Sequence, residues 1–586
     1  MRIKHFFGLA VLAAMTASCS SNNDLVNGGN GSGENVSGES YASITIDLPT
    51  TSGTRAIKND QFDGGTASEY AVNDATLLIF EKDGSSENEY KFVEQAPLGN
   101  LEPWKKDNDA NGITTEATIT AKLNKATVGN NNYYALVILN NKDKNDAEKV
   151  TLPTGTTTYG AWNVAASATA ANLVDNTKGF YMANAPEFKA ADQEPTTLVK
   201  IQGIYRTKEE AHSKPGTTVH VERGLAKVTV GKGTGNDYFT GAKASGSKYS
   251  DDDVKITNWA LDVTNKSSFP VHVTSGLKSG VTSAGIPAYA DIWKNEAATT
   301  STAPATSRFV SQLSATGAFK RVYWGIDPNY SKSLTDKDAC GQEFKLVKAD
   351  GSDADWKTST EPLYCLENTF DITHMLQGQT TRVLLKATYT PNALATATDK
   401  TFFMIGNSSD IWTMDNLKKQ IESKAKEVLK TTTGVTVTLK DKLLEGGTHV
   451  LDANNVEIKS GEDDKTSEVV DQINIKLGFD KDKGIGIKTY KNGESYYIAR
   501  IKHFGDELTP WAAGDEIYGG KNLNWLGRYG VLRNNWYDLT INSISGPGYP
   551  DVPEVKPDTP DDEDTKYINV SVKILDWAKR SQKVDL

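Results

Sequence analysis

The sequence lacks the motifs of metal, nucleotide and hydrolase chemistry. Its 586 residues include three cysteines and seven histidines, and none of the histidines has the close His or Cys spacing of a zinc site. Neither a Gly-x-Ser-x-Gly nucleophile turn nor a Gly-x-x-x-x-Gly-Lys-Ser/Thr phosphate loop occurs. We therefore expect a protein that is not an enzyme and that holds no metal or cofactor.

The chain also lacks an excess of basic residues and a hydrophobic run of membrane-spanning length. Lys plus Arg number 64 and Asp plus Glu 75, giving a net charge of −11. This charge works against binding to nucleic acid or to an anionic membrane surface. We expect no nucleic-acid partner.

The N-terminus has the pattern of an exported lipoprotein. Arg2 and Lys4 precede the apolar stretch 6–15, and small residues lead to Cys19. About ten apolar residues are too few to span a bilayer, and 1–18 reads as a signal peptide that resembles a bacterial lipobox. An ordinary secretory signal with a chance cysteine is the alternative. We expect Cys19 to be lipidated, so that only the precursor touches the outer membrane, through its lipid.

Two cysteines remain after Cys19. Cys340 and Cys365 are an even pair in an exported chain, which allows a disulfide. Two buried thiols are equally compatible with a fold of this size. The sequence leaves both alternatives open.

The body of the chain reads as all-β. Alternating or continuous apolar runs, separated by turn residues, are typical of β-sandwiches. One helix is predicted over Met414–Lys430 from its apolar face and from its cap residue Thr413. The turn Gly231–Asn236 predicts a boundary between an N-terminal domain, 56–232, and a C-terminal domain, 233–545. The predicted strands are Ala42–Leu48, Thr76–Phe80, Tyr134–Leu139, Thr218–Val221, Ala226–Val230, Val254–Val263, Arg382–Tyr389, Phe402–Ile405, Ser495–Ile501 and Trp536–Ile544.

The C-terminus combines a tether with a strand. Residues 546–566 are rich in proline and acid, and we expect this linker to be extended and solvated. The tail 567–586 follows, with one apolar strand face formed by Ile568, Val570, Val572 and Ile574. It suits donation to a neighbouring subunit; completing a sheet of its own chain is the alternative.

A second strand near the N-terminus has the same pattern as the tail. Ala42, Ile44, Ile46 and Leu48 alternate with polar residues, and an exposed loop containing Arg55 follows. A protein with two interchangeable strands can fill its own sheet with one and lend the other after assembly begins.

These features together resemble a family, the fimbrillins of Bacteroidetes, in particular the shaft subunits of the short, Mfa-type fimbriae. The similar fragments run along the whole chain: the lipobox at Cys19, Thr54-Arg55-Ala56, Tyr134–Asn140, Val221–Val228, Glu367-Asn368-Thr369, Val531–Tyr537, Asn569–Trp577 and Val584-Asp585-Leu586.

The resemblance implies two transthyretin-like β-sandwich domains and export to the outer membrane as a lipoprotein. An Arg-specific extracellular protease would cut between Arg55 and Ala56 and remove the propeptide 19–55. The displaced first strand would leave a groove for the donor strand of an identical subunit. Anchor and tip subunits would complete an extracellular fimbrium that supports adhesion and biofilm formation, with the receptor left open.

Two other functions fit the same residues. An anchor or accessory subunit of the fimbria shares the family's pattern. A monomeric glycan-binding surface lipoprotein could use Trp104, Trp293 or Trp356 as a sugar platform, although tryptophans are more often packing residues.

Overall fold

The computed structural model describes residues 39–48, 66–99, 105–106, 113–114, 116–142, 149–167, 173, 178–188, 195–232, 235–274, 321–330, 334–359, 361–370, 374–504, 527–561, 568–575 and 579–581. The helices are α1 Ala67–Tyr70, α2 Tyr159–Ala165, α3 Lys208–His212, α4 Lys337–Glu343, α5 Met414–Leu429, α6 Asp441–Leu444 and α7 Thr466–Leu477. Short 3-10 turns lie at Glu87–Glu89, Pro328–Tyr330, Asn392–Leu394 and Lys491–Gly493.

Strands dominate the fold, as the sequence predicts. The first thirteen are β1 Ser40–Asp47, β2 Ala75–Glu81, β3 Lys91–Pro97, β4 Lys105–Lys106, β5 Ile113–Thr114, β6 Glu116–Leu123, β7 Tyr133–Leu139, β8 Met182–Asn184, β9 Val199–Lys200, β10 Thr217–Arg223, β11 Leu225–Lys232, β12 Ala242–Lys243 and β13 Asp253–Asp262. The next are β14 Thr264–Asn265, β15 Phe344–Lys345, β16 Leu363–Leu366, β17 Arg382–Thr390, β18 Phe402–Ile405, β19 Val435–Leu439, β20 Gly447–His449, β21 Val456–Ser460, β22 Asp463–Asp464, β23 Ile487–Tyr490, β24 Glu494–Arg500, β25 Trp536–Ile544, β26 Ile568–Leu575 and β27 Lys579–Ser581. Each of the ten predicted strands is present, and the predicted all-β class is confirmed.

The N-terminal strands form one rolled sheet. Its order is β3-β2-β7-β8-β10-β1-β6, with β9 paired to β7. The outer strands β3 and β6 approach each other, because the buried carboxylate of Glu94 in β3 accepts backbone N–H groups from Asn124, Lys125 and Ala126 just after β6. The inner face encloses an apolar core shared by β1, β2, β6, β7 and β10.

The C-terminal half is a sandwich of two sheets. The orders are β16-β11-β25-β26-β27 and β12-β13-β17-β24. Their facing side chains, among them Val228, Leu385, Tyr497 and Leu539, share one buried cluster. The chain passes from the first sheet to this sandwich at Gly224, between β10 and β11. The passage is earlier than the predicted boundary after Lys232, because Gly231 and Lys232 belong to β11, where they pair with Thr540 and Ile541 of β25.

A smaller unit with its own core interrupts the sandwich at 402–490. The sheets β18-β23-β20 and β19-β21-β22 pack with α5 and α7 around an apolar cluster. Helix α5 confirms the predicted helix: Thr413 accepts from the Asn416 N–H, and Leu417, Ile421 and Ala425 are buried. Helix α7 was not predicted. None of the described helices is long and apolar enough to cross a membrane.

Candidate functional site: the β1 groove

Strand β1 lies between two other strands of the rolled sheet. It pairs antiparallel with β6, from Ser40 opposite Leu123 to Asp47 opposite Glu116. On its other edge it pairs parallel with β10, from Ile44 to Asp47. Since both edges of β1 are hydrogen-bonded, its departure would leave a slot one strand wide, called here the β1 groove.

The apolar face of β1 fills the core beneath it. Ala42, Ile44 and Ile46 are fully buried and Leu48 is 3% exposed, as their alternation predicts. Full burial of an aliphatic side chain is worth about 1.5–3 kcal/mol. The N-terminal sheet therefore depends on a strand in this position.

The other face of β1 makes polar contacts to both walls. The Thr45 and Thr118 hydroxyls lie 2.8 Å apart, on β1 and β6. Asp47 Oδ2 lies 3.1 Å from Nδ1 of His220 on β10. Gly216, just before β10, leaves room for Thr45, because any side chain there would collide with the threonine hydroxyl.

The upstream end of β1 is fixed by further hydrogen bonds. The Ser40 hydroxyl donates to the Ala126 carbonyl at 2.6 Å. Tyr41 exchanges two backbone hydrogen bonds of 2.8 Å with Tyr205. These bonds hold the start of the strand in a defined position beside Ala126 and Tyr205.

The chain re-enters the described structure at α1, where Glu69 is fully buried. Its Oε1 lies 2.8 Å from Lys227 Nζ and accepts from the Tyr364 hydroxyl at 2.5 Å. Arg223 Nε donates to the Glu69 carbonyl at 2.7 Å. Burial raises the pKa of Glu69, but Lys227 and the hydrogen bonds outweigh burial and lower it overall. These contacts join α1 to β10, β11 and β16.

A second buried network joins the rolled sheet to the sandwich. Glu222 of β10 contacts His272 Nδ1 at 3.1 Å and Arg321 Nη2 at 2.8 Å. Arg321 also donates to the Arg533 carbonyl at 2.9 Å, and Arg533 pairs with Glu367. Burial raises the pKa of Glu222, whereas Arg321 and His272 lower it, and the net shift is downward. Strand β10, which is one wall of the β1 groove, is therefore connected through Glu222 to buried residues of the sandwich.

The tail strand β26 belongs to a sheet of its own chain, one strand in from the edge. It pairs antiparallel with β25, from Ile568 opposite Ile544 to Leu575 opposite Trp536, and β27 pairs with its outer side. The structure of the single chain therefore shows the alternative arrangement, in which the tail strand completes a sheet of its own chain.

The linker before β26 is packed on the sandwich along 546–561. Asp561, 1% exposed, accepts from Arg500 Nη1 at 2.8 Å and from the Thr380 hydroxyl at 2.6 Å. Arg382 Nη2 donates to the Pro553 carbonyl at 2.6 Å. The prediction that this segment is solvated is wrong for 546–561. Buried arginine side chains of the sandwich donate hydrogen bonds to its carbonyl and carboxylate oxygens and hold it against the protein.

The remaining predicted site residues divide into two groups. Cys19, Arg55 and Ala56 lie outside the described residues. Cys340 and Cys365 are buried free thiols in separate clusters. Among the described residues, no group of three His, Cys, Asp or Glu side chains could hold a metal ion.

Sequence reasoning did not single out Glu69 and Arg533, and it found no zinc-site spacing at His220 or at any other histidine. Their partners lie far away in sequence, as with Arg533 and Glu367. Alternation identified the apolar face of β1, but no local signal could have paired Asp47 with His220.

Of the three tryptophans considered as a sugar platform, Trp104 and Trp293 lie outside the described residues. Trp356 is partly buried, and its indole N–H donates to the Gly351 carbonyl at 2.9 Å.

The chain was compared with models of known protein families and with curated proteins. Residues 488–583 match the family model described as major fimbrial subunit protein type IV, Fimbrillin, C-terminal. Comparison with curated proteins returned no match.

Solved structures were compared as well. A candidate cell adhesion protein of Parabacteroides distasonis is 9% identical, over 92% of this chain and 98% of that chain, with a TM-score of 0.36. A fimbrial assembly protein of the same organism is 12% identical, over 59% and 96%, with a TM-score of 0.23. The tip fimbrial protein Mfa3 of Porphyromonas gingivalis, with a C-terminal truncation, is 11% identical, over 92% and 100%, with a TM-score of 0.26. The match at 488–583 confirms the resemblance to the fimbrillins that the sequence indicates: over these residues the chain is similar to the C-terminal region of a fimbrillin.

Proposed function

We propose that this chain is a structural subunit of a fimbrial shaft that polymerises by donor-strand exchange. It is exported as a lipoprotein precursor, cut after Arg55 by an Arg-specific protease, and assembled with identical subunits on the cell surface, where the fimbrium supports adhesion and biofilm formation. The observation that carries the proposal is the position of β1, which is paired on both edges and directly precedes the segment containing the cleavage site.

Cleavage changes how β1 is held. In the precursor, β1 and β10 belong to one covalent chain, so β1 rebinds whenever it leaves. After cleavage at residue 55 the strand belongs to a separate peptide, and its dissociation becomes a concentration-dependent event. A strand on a neighbouring subunit can then replace it.

The tail supplies such a strand. In its own sheet, β26 has β25 along one side and only the three-residue edge strand β27 on the other. In the β1 groove it would pair with β6 and β10, two strands fixed within the body of a neighbour. The packed segment ending at Asp561 stays with the donating subunit and forms the base of the link.

The experiment compares two proteins that begin at Ser20, one ending at Leu586 and one at Thr565. Arg580 lies in the tail, so an Arg-specific enzyme could also trim it. We therefore replace 53–58 with the recognition sequence of a site-specific protease and follow mass by light scattering. Growth of the longer protein into heat-resistant oligomers, with none from the shorter one, is expected. If both stay monomeric after complete cleavage, the shaft function is wrong.

A further inference from the structure

The β1 groove constrains which residues can occupy it, position by position. Ala42 and Leu48 mark the ends of the apolar row, at 0% and 3% exposure. The polar row between them is also enclosed: Ser43 is 4% exposed and Thr45 7% exposed. An incoming strand therefore needs apolar residues at four alternate positions and small uncharged residues at two positions between them, because burying an unpaired charge is costly.

Only one alignment of the tail meets both conditions. When Ile568 takes the position of Ala42, the residues Val570, Val572 and Ile574 fall on the other three apolar positions. Asn569 then replaces Ser43, Ser571 replaces Thr45, and Tyr567 falls at the position of Tyr41. The two apolar sets differ by a single side-chain carbon in total, because Ile568 is larger than Ala42 and Val570 and Val572 are each smaller than Ile44 and Ile46, so the total core volume is nearly kept.

Neighbouring alignments fail at buried positions. A shift of two residues in one direction places Lys566 at the fully buried position of Ala42. A shift of two in the other direction places Lys573 at Thr45 and Asp576 at Leu48. A reversed strand centred on Ser571 places Lys573 at the position of Ser43. Since side chains alternate with a period of two, odd shifts turn the apolar face away from the core.

We infer that Ile568–Ile574 of a second copy of this chain replace Ala42–Leu48 residue for residue and in the same direction, so that Ser571 lies opposite Thr118 and Lys573 takes the place of Asp47. This inference rests on the proposed function and adds the register and orientation of the joint. Ser571 retains a hydroxyl that can bond to Thr118, as Thr45 does at 2.8 Å.

The exchange reverses one charge. Asp47, which contacts His220 in the precursor, gives way to Lys573. Glu187 lines the same small cavity as His220, so a carboxylate borders the place where Lys573 would replace Asp47.

Cysteine cross-linking tests the register directly. Two of the register pairs of β1 and β6 are Thr45 with Thr118 and Asp47 with Glu116. We would prepare Thr118→Cys with Ser571→Cys in one chain, and Glu116→Cys with Lys573→Cys in another, each carrying the site-specific cleavage sequence. Directly opposite residues have Cβ atoms roughly 5 Å apart, and residues offset by two about 7–8 Å, so only the former suit a disulfide.

The expected result is a ladder of disulfide-linked subunits from both variants after cleavage and oxidation, and none from the parent with its buried Cys340 and Cys365. Matched controls combine Thr118→Cys with Asn569→Cys or with Lys573→Cys. They should give about tenfold less cross-linked dimer because of the two-residue offset. A ladder from either control instead would overturn the register, and a ladder from Glu116→Cys with Asn569→Cys would overturn the orientation.

Light scattering under reducing conditions separates this inference from the proposed function. Polymers that form but are cross-linked by no pair would place the donor strand elsewhere and overturn the register alone. Absence of polymers from the parent protein after complete cleavage would overturn the proposed function itself.

Discussion

Glu69 and Lys227 form an ion pair of 2.8 Å at the junction of the rolled sheet and the sandwich, with side chains 0% and 5% exposed. The pair joins α1, the first described element after the predicted cleavage site, to β11 of the C-terminal half. It therefore links the beginning of the rolled-sheet domain, as far as the structure describes it, to the sandwich.

Replacement of Lys227 by Met should destabilise the protein strongly. Removing one partner of a buried ion pair typically costs about 3–5 kcal/mol, because the other charge stays buried without it. The measurement is the thermal midpoint of the uncleaved chain. Adding Glu69→Gln to Lys227→Met should recover much of the loss, and Lys91→Met, at the exposed pair with Asp83, should change little. Equal effects at both lysines would contradict the role of burial.

Stability should fall at acid pH through the two buried glutamates whose pKa values are lowered, Glu69 and Glu222. A carboxyl group with a folded pKa below its unfolded value of about 4.3 stabilises the protein above that value, and the contribution is lost as pH falls through the folded pKa. Thermal midpoints should thus decrease below about pH 4. Glu222→Gln should lower the midpoint at neutral pH and weaken this dependence; an unchanged pH profile would speak against it.

Ile44→Ala should lower the stability of the uncleaved precursor and leave the stability of the polymer unchanged. Deleting a fully buried isoleucine side chain costs about 2–5 kcal/mol, so the midpoint of the uncleaved chain should drop. Once the first strand has been replaced, the substitution is no longer part of the fold. Val219→Ala is the matched control, because Val219 lies in the groove wall β10 at 0% exposure and should weaken both states. If Ile44→Ala weakens the polymer equally, the first strand has not left.

Asp561→Ala should destabilise the sandwich, because it removes the carboxylate that pairs with Arg500 Nη1 at 2.8 Å. The expected cost is about 3–5 kcal/mol for a buried pair, read as a lower thermal midpoint. Glu554→Ala, in the exposed pair with Lys337, should have a small effect. A small effect at Asp561 as well would mean that the linker is not anchored at that residue.

The parts of the fold that were predictable are those with local periodicity. Alternation identified the apolar face of β1 and the central strands, and the spacing of Leu417, Ile421 and Ala425 identified α5. Pairing could not be predicted, since Asp47 meets His220 only because β1 and β10 lie side by side. The proline-rich linker was misjudged for the same reason: its composition indicates an extended chain, but Arg382 and Arg500, which bind it, come from distant strands.

The central claim is that the first strand leaves and the tail takes its place. Its most direct test is mass spectrometry of assembled and unassembled protein after cleavage at residue 55, separated by size. The account predicts that the cleaved monomer retains the peptide 20–55 in equal amount, held by β6 and β10, whereas the polymer has lost it. A polymer that retains one such peptide per subunit would contradict strand replacement.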